Sequence, residues 1–385
     1  MNDTPAIRIE DLGDILQQFK REHVLLIVDS IAYASSGAQD RIRDLLQTYQ
    51  VRLFSEFEPN PKLHEVIEGA KLLSHESSDI VVAIGGGTAI DMAKLICCCA
   101  AQGKVLSEPE IKQLFSDTSG MASRIHPLIA VPTTAGTGSE ATQFAVVYIE
   151  DKKYSVSHPS LLPDAAILDS SLTHSVPKGT TIASGLDAVV HSIESLWSIR
   201  STETSIAIAE QALQLGLANI EKVITSSDDK NREAMLQAAH LAGKAINITR
   251  TTAAHALSYT MTIRHNIPHG MAVALCLGPF LRFNAAVDSA SLADRRGLEH
   301  IQRIFSRLAE AFDVDPSQEN FMDDIADCWE QLLQRIGCAT KLSDWGISQD
   351  SDLKEIASSV NQHRLGNNPR RVSEEDLITI VNAMA

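Results

Sequence analysis

Short apolar runs alternate with helical stretches over the first half of this chain, and none recurs in the second half. His23–Asp29, Val51–Phe54, Ile80–Ile84, Pro127–Val131 and Ala165–Leu168 read as strands. The first, third and fourth are near-continuous apolar runs, as strands covered on both faces are. Between them, Ala38–Tyr49 and Lys62–Leu73 carry apolar residues at helical spacing. Strands and helices of this length in strict alternation predict a doubly wound, mostly parallel sheet. Phe144–Glu150 and Lys153–Val156 read as a hairpin turning about Asp151 and Lys152.

The pattern changes near Pro177-Lys178-Gly179. Beyond it, helical periodicity covers 182–197, 203–224, 231–248, 252–264, 270–283, 299–312, 320–336, 352–360 and 374–384. Two domains are therefore expected: α/β over residues 1–178 and all-helical over 179–385. With 385 residues, each can build its own core.

Two loops in the first half have the chemistry to hold phosphates. The third strand runs into Gly85-Gly86-Gly87-Thr88, with Asp91 and Lys94 just beyond. Glycines between a strand and a helix let phosphate oxygens approach backbone N–H groups at a positive helix end. The G-x-G-x-x-G spacing is absent, and a tight turn alone would also use these glycines. The fourth strand leads into a second small-residue loop holding Thr133, Thr134, Thr137 and Ser139. Two such loops after two strands of one sheet point to a nucleotide more strongly than either alone.

In the helical half, Asp187 and His191 are spaced i,i+4 in an apolar run, so both lie on one helix face. Alone, this spacing more often marks an ion pair. His255 and His269 follow in a weakly charged, Gly/Ala-rich stretch, where an unpartnered polar group is costly. Three imidazoles and one carboxylate suit a borderline divalent ion such as Fe²⁺ or Zn²⁺, with room for a substrate oxygen.

The net charge of −16 argues against nucleic acid or an anionic membrane surface as partner. Met1–Asp14 is polar and acidic without an apolar signal core, and no run reaches a membrane span. A cytoplasmic protein is expected. Cys97, Cys98 and Cys99 are consecutive in an apolar helical run; they cannot converge on one metal and read as packing residues.

Taken together, Gly85-Gly-Gly-Thr88 with Asp91 and Lys94, Thr133-Thr-Ala-Gly-Thr-Gly-Ser-Glu140, Gly185-Leu-Asp187 with His191, His255-Ala-Leu and Pro268-His269-Gly270 resemble the iron-dependent (group III) alcohol dehydrogenase family over nearly the whole chain. The resemblance implies a dehydroquinate synthase-like plan and an oxidoreductase using NAD or NADP. It also implies one divalent metal, held by Asp187, His191, His255 and His269, a small aldehyde or alcohol substrate, and a homo-oligomer such as a dimer. Related dehydroquinate synthases use the same plan for a lyase reaction, with Glu in place of the metal-binding Asp. Asp187 and Pro268-His269-Gly270 favour the dehydrogenase. A module that only binds metal or nucleotide is the non-enzymatic alternative.

A narrower resemblance joins Asn247-Ile-Thr-Arg250-Thr251 through Tyr259 and Arg364-Leu-Gly-Asn367-Asn368-Pro-Arg370 to the phosphonoacetaldehyde reductase branch. Arg250, Arg264, Arg364 and Arg370, with Thr251 and Asn368, are its candidate phosphonate-binding residues, since a dianion needs cationic forks and neutral donors. A general short-chain primary alcohol dehydrogenase is the alternative. Two departures from the family pattern stand out. Tyr259 occupies the place of a second His, so a proton relay there would run through Tyr259 or water. Ser30, next to Asp29, stands where NAD-preferring members often carry Asp, which leaves NADP open.

Overall fold

The computed structural model describes residues 8–73, 79–103, 106–150, 152–226, 228–360 and 362–385. The chain divides into two compact units, Met1–Pro177 and Lys178–Ala385.

In the first unit, β1 (His23–Val28), β2 (Gln50–Phe54), β3 (Asp79–Gly85), β4 (Leu128–Pro132) and β7 (Ala165–Ala166) form one parallel sheet in the order β2-β1-β3-β4-β7. Successive side chains of a strand point to opposite faces. Accordingly Leu25, Ile27, Val81, Ala83, Leu128 and Ala130 enter one core. Val24, Leu26, Val28, Ile80, Val82, Ile84, Ile129 and Val131 enter the other. Both faces are covered, which is why these strands read as unbroken apolar runs. The helix Gly87–Ala100 lies on the first face, and Cys97, Cys98 and Cys99 are buried in its core. Burial pushes their thiols up, to about 12 for Cys97 and Cys99. They are inert packing groups.

The hairpin is separate and antiparallel: β5 (Phe144–Ile149) pairs with β6 (Lys152–Ser157). The expected turn residue Asp151 lies outside the described residues. Three other expectations are modified. The helix expected over 38–49 is broken at Ile42 into Ala38–Arg41 and Arg43–Leu46. The last strand is only two residues long. Residues 30–35 and 108–116 form helices that periodicity did not single out.

The second unit is helical. Its centre is the helix Lys178–Trp197, buried without interruption from Gly185 to Trp197. Around it pack Glu203–Thr225, Asp229–Thr249 and His269–Ala285. Ala253–His265 packs in turn on His269–Ala285. Among the described residues the only β-type pairing in this unit is an isolated bridge between Leu292 and Arg370.

Candidate metal centre and cofactor loops

Three helices of the second unit deliver the four expected ligands. Asp187 and His191 come from one face of Lys178–Trp197, His255 from the first turn of Ala253–His265, and His269 from the start of His269–Ala285. Asp187 Oδ1 lies 3.2 Å from His255 Nε2 and 3.7 Å from His191 Nε2. One donor atom from each of Asp187, His191 and His255 falls within 4.8 Å of the others, and all three residues are buried. The rings of His191 and His255 stack at 4.5 Å. His269 is half-buried and stands edge-on to His255 at 5.6 Å.

The close approach of His269 has a specific cause. Gly270 packs against the backbone of the central helix, so tightly that a Cβ there would lie 1.8 Å from the carbonyl oxygen of Ala183. Only glycine permits this contact, and the contact sets His269 beside Asp187.

The electrostatics suit a cation. Burial alone would raise Asp187's carboxyl, but His191, His255 and His269 around it hold it well below the usual carboxylate range. Burial opposes charge on His255, yet Glu194 and Asp187 on its two sides raise its imidazole to about 9. A carboxylate this far from water persists only if positive charge lies against it. Nitrogen and oxygen donors converging in this number fit a divalent transition metal.

Beside the candidate ligands, Tyr259 stacks on His269 at 5.8 Å. The Arg364 guanidinium lies 4.6 Å from the centre of the Tyr259 ring. The Tyr259 hydroxyl is bonded to Thr251 and Arg364; burial nevertheless raises its pKa, so it holds its proton at neutral pH. Burial lowers the Arg250 guanidinium, and the like charges of Arg200 and Arg364 lower it further, so the three arginines share one neighbourhood. Arg250 sits at φ 59° and ψ 173°, a conformation almost confined to glycine. Asn367 holds it there. Its Nδ2 donates to the carbonyls of Thr249 and Thr251, on either side of Arg250.

The other phosphonate candidates are not part of this cluster. Arg264 is 67% exposed and faces Glu355 at 3.7 Å. Arg370 donates to the Phe283 carbonyl and lies over the Phe283 ring. Asn368 is buried in a mutual amide pair with Asn284. Arg370 and Asn368 are fastened to the framework instead, and Arg264 faces solvent. Two residues of the site escaped the sequence reading. Arg200 gave no signal, being a lone exposed arginine past a helix end. Glu194 did give one: 187, 191 and 194 continue the i,i+4,i+7 stripe of a single helix face.

In the first unit, the expected nucleotide loops leave the C-terminal ends of adjacent parallel strands β3 and β4. Connections run outward in both directions from β1 and β3, and such a switch point is where open α/β sheets bind ligands. Glycine is needed here by close approach: a Cβ on Gly87 would lie 2.9 Å from the Thr137 side chain, and one on Gly85 2.7 Å from Ala89 Cβ. Thr133 Oγ1 is buried without a hydrogen-bond partner among the described residues, as a hydroxyl awaiting a ligand would be. Gly86, Thr88 and Thr134 are half-buried and Thr137 is exposed, all within reach of solvent. Ser30 is exposed, while Asp29 beside it caps the amides of Ile31 and Ala32.

Asp91 and Lys94, expected on the cofactor, lie beneath these loops. Lys94 is fully buried and donates to Ser139 Oγ, Thr142 Oγ1 and the Phe144 carbonyl. Asp91 accepts from Ser139 Oγ and Val146 N. All three ammonium protons are used internally, so this pair ties the second loop and the hairpin to the helix, leaving Lys94 no proton for a phosphate.

Comparison with known proteins agrees with this architecture. A family model for iron-containing alcohol dehydrogenase matches residues 6–170, and one for the C-terminal part of the Fe-containing alcohol dehydrogenase family matches 181–385. A phosphonoacetaldehyde reductase of Streptomyces viridochromogenes is 33% identical over 315 residues, 80% of this chain and 76% of that protein. The 1-propanol dehydrogenase PduQ of Salmonella typhimurium is 32% identical, over 84% of this chain and 79% of that one. A solved sulfoacetaldehyde reductase from Bifidobacterium kashiwanohense, in complex with NAD⁺, superposes with a TM-score of 0.84 at 27% identity, covering 99% of this chain and 97% of that one. With both halves matched and the sheet and helical units in place, the chain belongs to the iron-containing alcohol dehydrogenase family and is an oxidoreductase of that kind.

Proposed function

We propose that this chain reduces a short aldehyde carrying a doubly charged acid group, phosphonoacetaldehyde first among them, to the corresponding alcohol. The electron donor is a reduced nicotinamide dinucleotide, and the metal is a divalent ion, iron by the family's description, at Asp187, His191, His255 and His269. The observation that carries the substrate is the arginine cluster. Arg364 lies over Tyr259, which in turn stacks on the metal-ligand candidate His269, and Arg364 and Arg200 both act on the charge of Arg250. A short aldehyde with its carbonyl at the candidate ligands would present its anionic tail toward Tyr259 and Arg364. Thr251 adds a neutral donor.

When bound, the cation supplies a Lewis acid for the carbonyl oxygen and the dinucleotide supplies the hydride. The chain's own residues do the rest. Asp187 and the three histidines fix where the carbonyl oxygen is received. Tyr259 keeps a proton on its hydroxyl, oriented by Thr251 and Arg364, and can pass it to the alkoxide that hydride transfer leaves. Gly85–Thr88 and Thr133, Thr134 and Thr137 would cradle the pyrophosphate at the start of the helix Gly87–Ala100. Asp29 fixes a negative charge beside Ser30 at the end of β1, which disfavours a 2′-phosphate; NAD is the cofactor we propose, with NADP the alternative.

A second reading replaces phosphonate by sulfonate, favoured by the likeness to the solved sulfoacetaldehyde reductase. Steady-state kinetics with phosphonoacetaldehyde, sulfoacetaldehyde and propanal, each with NADH and NADPH, separate them. The proposal expects the highest kcat/KM for the phosphonate. A higher value for propanal would overturn it in favour of a general short-chain alcohol dehydrogenase.

A further inference from the structure

Glu194 lies one turn beyond His191 on the central helix and is fully buried. Its two oxygens accept four hydrogen bonds. Thr252 N donates at 3.0 Å, Thr252 Oγ1 at 2.8 Å, His255 N at 3.2 Å and His255 Nδ1 at 2.6 Å. Its only ion-pair partner among the described residues is His255. A buried carboxylate is expensive unless a positive group and enough donors meet it. This one is met almost entirely by a single metal-ligand candidate and the turn that carries it.

The geometry has a consequence for His255. A neutral imidazole has one N–H, and the 2.6 Å contact claims it for Nδ1. The Nε2 lone pair then points at Asp187 Oδ1, 3.2 Å away. Two lone pairs cannot face each other at that distance without a positive charge to share. We propose that Glu194 is a positioning residue that fixes the tautomer and ring orientation of His255, turning Nε2 toward Asp187, and that its charge strengthens His255 as a donor to a divalent cation. This rests on the metal site proposed above. Carboxylates behind metal-bound imidazoles typically change metal affinity by about 10–100-fold.

The test is Zn²⁺ binding to the metal-free full chain, by competition with a chromogenic chelator, alongside the absorption spectrum of the Co²⁺-loaded protein. Glu194→Gln is expected to raise the Zn²⁺ Kd about 10–100-fold and to change the Co²⁺ ligand-field bands. Thr252→Val, which removes the neighbouring hydrogen bond but keeps the carboxylate–imidazole pair, is expected to stay within about threefold of wild type, less than that range. Wild-type affinity in Glu194→Gln, or equal weakening in both variants, overturns the proposal and leaves Glu194 as a tie for the Thr252 turn. If Glu194→Gln does not fold, Glu194→Asp carries the test: its shorter reach should also weaken Zn²⁺, and unchanged affinity overturns the idea. A wild-type chain that takes up no Zn²⁺ overturns the metal reading itself, and this proposal with it.

Discussion

Replacing Gly270 by alanine should damage the proposed metal site without touching a candidate ligand. The added Cβ would stand 1.8 Å from the Ala183 carbonyl oxygen, 2.7 Å from Ala183 carbonyl carbon and 3.1 Å from Asp187 Cβ. Two of these are backbone atoms within the helix Lys178–Trp197, so no side chain can swing away. Reaching even 3.0 Å, the nearest approach real Cβ atoms make, requires the helices Lys178–Trp197 and His269–Ala285 to part by about 1.2 Å. Overpacking of this kind costs about 1–3 kcal/mol, and immovable backbone puts this site at the upper end. For a unit of about 200 residues that is a fall of roughly 6–12 °C in Tm. The same displacement carries His269 away from Asp187, and a misplacement of about 1 Å lowers activity by about 100-fold. Calorimetry of the metal-free protein, Zn²⁺ stoichiometry and kcat/KM together read the effect. Gly179→Ala, where nothing lies within 4 Å, is the matched control and should be neutral. A Gly270→Ala protein with wild-type Tm and metal content would refute the claim that this contact places His269.

Other outcomes follow from the same geometry. Arg364→Ala and Arg250→Ala should each raise KM for phosphonoacetaldehyde by about 10–100-fold, equivalent to about 1.5–3 kcal/mol per charged hydrogen bond, while leaving propanal kinetics nearly unchanged. Arg264→Ala, by contrast, should change neither. The metal-free protein should lose stability from pH 6.5 to about 9. His255 is raised to about 9 when folded, so its stabilisation is complete below the unfolded value of 6.5 and vanishes as pH climbs through 9. Metal should bind more tightly across that same range, because it displaces the proton; denaturant titrations with and without Zn²⁺ check both slopes. Burial lowers Lys94 to about 8, so between pH 8 and 10.5 the unfolded chain binds the extra proton and stability should rise with pH relative to a Lys94→Met variant.

The strands and helices were legible because burial wrote itself into the sequence. Val81, Val82, Ala83 and Ile84 must all be apolar when both sheet faces are covered. Helices on the outside of the second unit, such as Leu298–Ala311 and Phe321–Arg335, show the 3.6-residue stripe that one-sided packing demands. What escaped notice depends on tertiary partners. The break at Ile42 interrupts a stretch whose apolar spacing is regular. The ligand candidates Asp187, His191 and His255 were readable as polar residues in apolar runs, and the structure gathers them. Arg250, Arg264, Arg364 and Arg370 look alike in a sequence; only folding separates Arg364 over Tyr259, and Arg250 within its field, from the one paired with Glu355 and the one over Phe283. Lys94 looked like a phosphate ligand because its burial under Ser139 and Thr142 is set by a loop some forty residues away.

Asp187, His191, His255 and His269 are proposed to hold one cation on which aldehyde reduction depends. Elemental analysis of the purified chain, paired with NADH-linked reduction of phosphonoacetaldehyde before and after chelation and metal return, addresses this directly. One divalent ion per chain, activity lost with the ion and restored with it, and neither metal nor activity in His255→Ala is the predicted result. Full turnover by a chelated, metal-free protein would contradict it.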